Sequence, residues 1–277
     1  MLTVMDWLVS MRRVRNRVYS DFAMQSRLVE YRQLLERALE AGYRICSVGG
    51  IWRQVVAGGL APSQRYLVLR HDIDTDPGTA AAMWDIDRGL AIESSYFFRL
   101  STLAPALMVD ISAGGGEASY HYEELASVAK RRRLRNRSDA LRALPEAREL
   151  FAENLQKLRV ATGLPMRVVA SHGDFVNRHV GVPNWVILAD PEFRRRVDVE
   201  LETYDEALLR HLPSRHIDAP HPRFWEPTDP SAMIRAGEPV VSLLVHPRQW
   251  RANRLANARD DLRRVAEGVR YSLPAAI

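Results

Sequence analysis

The densest chemical signal in the chain is Arg70-His71-Asp72-Ile73-Asp74-Thr75-Asp76-Pro77, where three carboxylates and an imidazole fall within six residues. Carboxylates this close repel one another, and a cation is the usual reason for collecting them. On an extended backbone Asp72 and Asp74 point the same way. One can hold a metal while the other takes a proton from the attacking water. Asp76 before a proline also reads as an ordinary helix cap. That reading leaves His71, Asp72 and Asp74 unexplained.

Four more places carry candidate groups. His121 lies in Glu117-Ala-Ser-Tyr-His-Tyr-Glu-Glu124. Histidine is a common metal ligand, and a helix-start histidine followed by helix-favouring acids is the structural alternative. Ser171-His172-Gly173-Asp174 has Asn177 and Arg178 behind it; a glycine after the histidine lets backbone approach a ligand, or simply makes a turn. His216-Ile-Asp218 leads to Trp225, a ring able to stack on a sugar in a lined pocket or to pack in a loop. His246 follows the apolar run Val240 to Val245, and Pro247 stops that strand.

Periodicity supplies the elements that must position these groups. Leu28, Tyr31, Leu34, Leu35, Ala38 and Leu39 have helical spacing before Gly42. Apolar runs predict strands at 66–71, 95–100, 117–121, 166–171 and 240–246, with weaker ones at 198–201 and 215–218. Residues 43–48 read as a further short strand. Helices are predicted over 79–91, 122–133 and 146–162, and around Trp185, Glu206 and Ile234. About seven strands alternating with helices indicate an α/β protein with a parallel sheet. The chemical residues end successive strands, which favours a closed ring with one rim over an open sheet. The segment 103–116 looks irregular and is read as a lid over the site. Arg131 to Arg137 reads as a solvated helix end.

Composition narrows the class. The 277 residues are 47% hydrophobic and 26% charged, which excludes disordered and fibrous proteins. A single cysteine, Cys46, excludes an intrachain disulfide framework and a cysteine-based zinc site. The net charge of +5 is modest for a nucleic-acid binder. Acids at the proposed rim repel phosphate, so no nucleic-acid partner is expected. No stretch approaches the roughly 20 apolar residues of a membrane span. The apolar N-terminus precedes Arg12-Arg13 rather than following it, the reverse of a signal peptide, so a cytoplasmic location is expected. The preferred reading of this segment is a helix packed on the body or on a second subunit, the latter giving a homodimer. The alternative lays Trp7 and Leu8 on a membrane surface.

At these residues the chain resembles the polysaccharide deacetylase superfamily, a carbohydrate esterase group, over about residues 65 to 250. Its LRHDID, HYEEL and SHGDFVNR segments are most similar to a divergent bacterial deacetylase-like branch. The resemblance implies a distorted (β/α)7 barrel over 61–277 behind an N-terminal helical extension, 1–60. It implies metal-dependent hydrolysis of an N-acetyl amide, with zinc or another divalent cation. Asp72 matches the catalytic base and His246 the acid that protonates the departing amine. Asp74 and His121 match metal ligands. His172 lies in one wall of the substrate groove, Asp218 and Trp225 in the other; Glu123 and Arg178 are further candidates for binding substrate. The family's second metal histidine falls at Leu125, which cannot bind metal. His172 is the first candidate to replace it, with Glu123 or His71 next. A cytoplasmic enzyme of this kind would act on a small molecule or soluble glycan precursor. The runner-up is a catalytically inactive binding or regulatory protein on the same barrel.

Overall fold

The computed structural model describes residues 14–273. In chain order, residues 14–22 form α1, followed by α2 (Leu28–Glu40), β1 (Tyr43–Cys46), α3 (Val48–Val56), β2 (Arg65–Ile73) and α4 (Pro77–Gly89). Next come β3 (Ser95–Phe98), α5 (Pro105–Ala113), β4 (Glu117–Tyr122), α6 (Glu124–Arg132), α7 (Arg137–Arg142) and α8 (Leu144–Thr162). The chain continues through β5 (Val168–Ser171), α9 (Phe175–Val180), α10 (Pro191–Arg196), β6 (Leu201–Glu202) and α11 (Glu206–Leu209). It ends with β7 (Ser214–Asp218), β8 (Trp225–Glu226), α12 (Ser231–Ala236), β9 (Val240–Val245) and α13 (Arg254–Ser272).

The chain divides into two compact units. The first comprises residues 1–94 and 212–259. Its strands run β1-β2-β9-β7-β8, parallel throughout except for β7 with β8. The register sets His71 opposite Val245 and Ile217 opposite Leu244. Thus β2, β9 and β7 all finish at the same end of this sheet. Every residue of β2 after Arg65 is buried, the continuous run that a parallel strand covered on both faces requires. The core joins Tyr31, Leu34, Leu35 and Ala38 of α2 to Leu67, Leu69, Val241 and Leu243 of the sheet. These are the α2 positions that helical periodicity assigns to a buried face.

The second unit comprises residues 95–211 and 260–277. Its strands run β3-β4-β5-β6, all parallel. Tyr120, Tyr122 and Phe151 pack around one another, and Phe193 meets Phe151 edge-on at 6.0 Å. Both units are α/β, and their mostly parallel strands are of the kind a deacetylase-type barrel needs. No described helix is long and apolar enough to cross a membrane. Trp7 and Leu8 lie outside the described residues.

Most predicted elements appear, but α7, α9 and α10 are not marked by the periodicity, the strand expected at 198–201 is present only as Leu201 of β6, and three further segments differ. The 103–116 segment, expected to be irregular, contains α5, which starts at Pro105 and buries Met108 and Ile111. Its apolar side chains are not confined to one face, so no periodic stripe marks it. β8 is a two-residue strand, too short for a pattern. α13 has a polar, arginine-rich sequence whose turns carry few buried anchors. The basic run at Arg131–Arg137 is the end of α6 and its connection to α7, with Arg131 and Arg132 both paired to Glu146.

Candidate active site

In the first unit the chemical groups gather where β2, β7 and β9 finish. Asp218 ends β7 and is buried. One of its oxygens accepts from His246 Nδ1 at 2.7 Å; the other accepts from the His246 backbone N–H at 2.6 Å and from Trp250 Nε1 at 2.9 Å. A carboxylate can only accept from the ring, so Nδ1 is the protonated nitrogen. Burial works against charging His246. The adjacent Asp218 charge and hydrogen bond outweigh it, Asp74 and Asp72 add to the effect, and the imidazole is pushed up to about 9.

Asp72 is buried near the end of β2, and Arg70 grips both its oxygens, at 2.8 and 2.7 Å. Asp74 follows the strand and is half-buried. Asp76 caps α4: its side chain accepts from Thr79 N at 3.2 Å and Thr79 Oγ1 at 2.5 Å. Asn253 donates to the same carboxylate at 2.8 Å. The cap reading of Asp76 is therefore the structural one.

His71 sits in a buried chain of hydrogen bonds away from any open surface. Tyr31 donates its only hydroxyl proton to Asp87 at 2.6 Å, so it accepts from His71 Nε2 at 2.7 Å; Ser94 donates to the other Asp87 oxygen at 2.6 Å. This commits His71 to the interior, and it is no substitute for the histidine missing at Leu125. Trp225, on β8, is buried against Trp250, with ring centres 5.8 Å apart, so the ring is packed in the interior.

In the second unit β4 and β5 end together, and their register sets His121 opposite Ala170 and Tyr122 opposite Ser171. This brings the rings of His121 and His172 edge-to-face, with centres 5.2 Å apart. His121 Nδ1 meets the Ala170 carbonyl at 3.0 Å, and His172 Nδ1 meets Glu123 Oε2 at 3.0 Å. Both acceptors require a proton on Nδ1, which puts each neutral ring's lone pair on Nε2. Metal-binding histidines use this arrangement, in which an outer acceptor fixes tautomer and orientation. The donor set therefore fits a divalent cation.

Glu123 is held by Arg99, whose terminal nitrogen lies 2.7 Å from each carboxylate oxygen. Burial raises the Glu123 pKa, but His172 and Arg99 override it and hold the carboxyl well below the usual range. Glu123, His172 and Asp174 bring one potential ligand atom each within 4.8 Å of one another. Arg99 and Lys130 already neutralise those two carboxylates, with Lys130 2.9 Å from Asp174, so a cation gains little from that trio. Asp174 also caps α9 through a capping box with Asn177. Arg178 lies on the exposed side of α9. Leu125 is fully buried within α6.

Sequence reasoning missed Arg70 and Arg99. Each is an arginine at the end of an otherwise apolar strand run, and a buried guanidinium needs a carboxylate nearby. The acids they pair with, Asp72 and Glu123, are already among the candidate residues. Reading the arginines as counter-ions was the available signal.

No family model matches the chain, and no curated protein matches it. The solved structures similar to it include three of known description. IcaB from Ammonifex degensii is 16% identical, covering 63% of this chain and 74% of that one, with a TM-score of 0.42. A mutant of BA3943, a CE4 family pseudoenzyme with restored enzymatic activity, is 12% identical over 75% of this chain and 65% of that one, TM-score 0.36. Peptidoglycan deacetylase PdaC from Bacillus subtilis is 13% identical over 76% and 87%, TM-score 0.36. What the chain is similar to thus includes a peptidoglycan deacetylase and a mutant of a CE4 family pseudoenzyme.

Proposed function

We propose that this chain is a metal-dependent hydrolase of an amide bond that removes the acetyl group from an N-acetylated sugar or soluble glycan precursor. The Asp218–His246 pair carries the reading. It supplies a protonated imidazole at the strand ends of the unit that also holds Asp72 and Asp74. Asp74, His121 and His172 would hold a divalent cation such as zinc. When bound, such a cation would supply Lewis acidity, polarising the amide carbonyl and lowering the pKa of a water towards about 7. Asp72 accepts the proton of the attacking water, and Arg70 fixes the direction of its carboxylate. His246 gives its proton to the departing nitrogen. Asp218 holds the ring and stabilises its charged form. Positioned acid and base steps typically contribute about 10² to 10⁴-fold each.

The test is acetate release from N-acetylglucosamine oligomers by the full chain loaded with zinc. Asp72→Asn should remove most turnover while circular dichroism and melting stay those of the native protein. Turnover retained in that variant would overturn the assignment of the base.

The burial of Leu125 favours a second reading, a binding protein without turnover, because α6 brings no histidine at that position. A chain that takes up no divalent ion from a zinc titration would support it.

A further inference from the structure

A surface helix ordinarily buries its apolar stripe and turns its charges to solvent. The part of α13 that belongs to the second unit does the reverse. Tyr271 is its buried anchor: the hydroxyl donates to the Leu134 carbonyl, and the ring meets Phe175 edge-on at 5.7 Å. Glu267, one turn earlier, accepts from Lys130 at 2.7 Å. On the opposite side Leu262, Val265 and Val269 are 72, 64 and 54% exposed, and Leu273, at the end of the helix, is 52% exposed. At helical spacing these four side chains share an arc of about 80° that faces away from Tyr271, along about 16 Å of helix.

The surroundings are basic. The Arg131–Arg137 run adjoins this helix, where Arg135 donates to the Tyr271 carbonyl and lies over its ring, 4.0 Å from the centre. Arg263 and Arg270, both exposed, line one edge of the stripe. Residues 130–137 and 260–273 together carry nine basic side chains and three acidic ones. That net +6 exceeds the +5 of the whole chain, so the rest of the molecule is close to neutral.

An apolar patch of this kind marks a contact with a protein or a membrane, and the charge decides between them. A second copy related by a two-fold axis would bring this basic region against itself. Nucleic acid would satisfy the arginines and leave the aliphatic side chains with no apolar partner. A bilayer with anionic lipid takes both features, the aliphatic groups at the boundary of headgroups and acyl chains and the arginines among the headgroup charges. With its polar side fixed to the unit, the helix has one face to offer, which suits a flat surface better than an enclosing groove.

We propose that the outward face of α13 docks on an anionic lipid bilayer, with Leu262, Val265, Val269 and Leu273 inserted and Arg263, Arg270 and the 131–137 run against the headgroups. The proposal is independent of the hydrolase reading, because lipid binding is measured without turnover.

The experiment sediments the full chain with vesicles of phosphatidylcholine alone, and of phosphatidylcholine and phosphatidylglycerol in equal parts. The anionic vesicles should bind about tenfold or more tightly than the neutral ones, and added salt should release the protein. Leu262→Ser and Val265→Ser should each weaken binding about tenfold with unchanged melting, and Arg270→Gln about fivefold. No binding to the anionic vesicles, or equal binding to both kinds, overturns the proposal. A marked fall in melting temperature in the serine variants also overturns it, because the stripe would then be covered within the chain. A dimer in sedimentation velocity that Val265→Ser separates assigns the face to a second copy instead. Salt-sensitive binding of duplex DNA by the parent and the serine variants alike, with no vesicle binding, assigns the basic run to nucleic acid.

Discussion

Asp218 holds His246 at two points, accepting from ring Nδ1 at 2.7 Å and from the residue's own backbone N–H at 2.6 Å. A single carboxylate thus fixes both the ring and the turn of chain that carries it. Trp250 closes the third side through its indole N–H. Little freedom remains for the imidazole, so the proton it can deliver always leaves from Nε2.

The raised pKa gives this pair a distinct pH signature. A proton-donating His246 stays charged until about pH 9, so activity should fall only above that value on the alkaline side. Asp218→Asn should bring the transition down towards the ordinary imidazole range, about 6.5. Nitrogen-15 NMR titration of His246 in the metal-free chain measures this directly. An unchanged midpoint in the variant would show that Asp218 does not set it.

Metal uptake should depend unequally on the groups around the paired histidines. His121→Ala and Asp74→Ala should abolish stoichiometric zinc in elemental mass spectrometry. Glu123→Gln removes the negative charge that holds His172 and pairs with Arg99, and it should weaken binding about 10 to 100-fold. Full occupancy in the Asp74 variant would remove that residue from the ligand set.

Buried Glu124 predicts a different pH effect, on stability. Burial pushes its carboxyl up to about 7, although Asn154 and Tyr120 donate to it. A carboxyl raised above its unfolded value contributes stability that is present below about pH 4.5 and lost as pH climbs through 7. Near pH 9 the ionised form costs about 3 kcal/mol relative to low pH. Glu124→Gln should therefore gain on the parent as pH rises, in urea unfolding at pH 5 and 8.5. A difference that is the same at both values would refute the account.

Asp76→Ala should destabilise the chain by about 1–2 kcal/mol through loss of the α4 cap. Asp76→Asn should recover part of that. Metal binding should be unaffected, because Asp76 is committed to Thr79 and Asn253. Thermal unfolding with a parallel zinc titration separates the two effects.

Much of the scaffold was legible because its signals are local. The α2 stripe, the buried run of β2 and the Val240–Val245 strand announce themselves by period or by an unbroken apolar stretch. α5 and β8 escaped for the same reason: one lacks a single-sided pattern and the other has two residues. At the site, the strand-end position of His121, His172, Asp218 and His246 could be read from where the apolar runs stop. What His71 and Trp225 do could not. Tyr31, Asp87 and Trp250, which hold them, are far away in sequence, and no spacing reveals such partners.

The burial of Leu125 bears on how this chain relates to a two-histidine motif on a helix. Its side chain is turned into the packed interior of the second unit, with no surface exposed. Leucine offers no donor atom, so that position contributes packing rather than coordination. A cation in this chain has to take its ligands from the strand ends, where the rings of His121 and His172 meet.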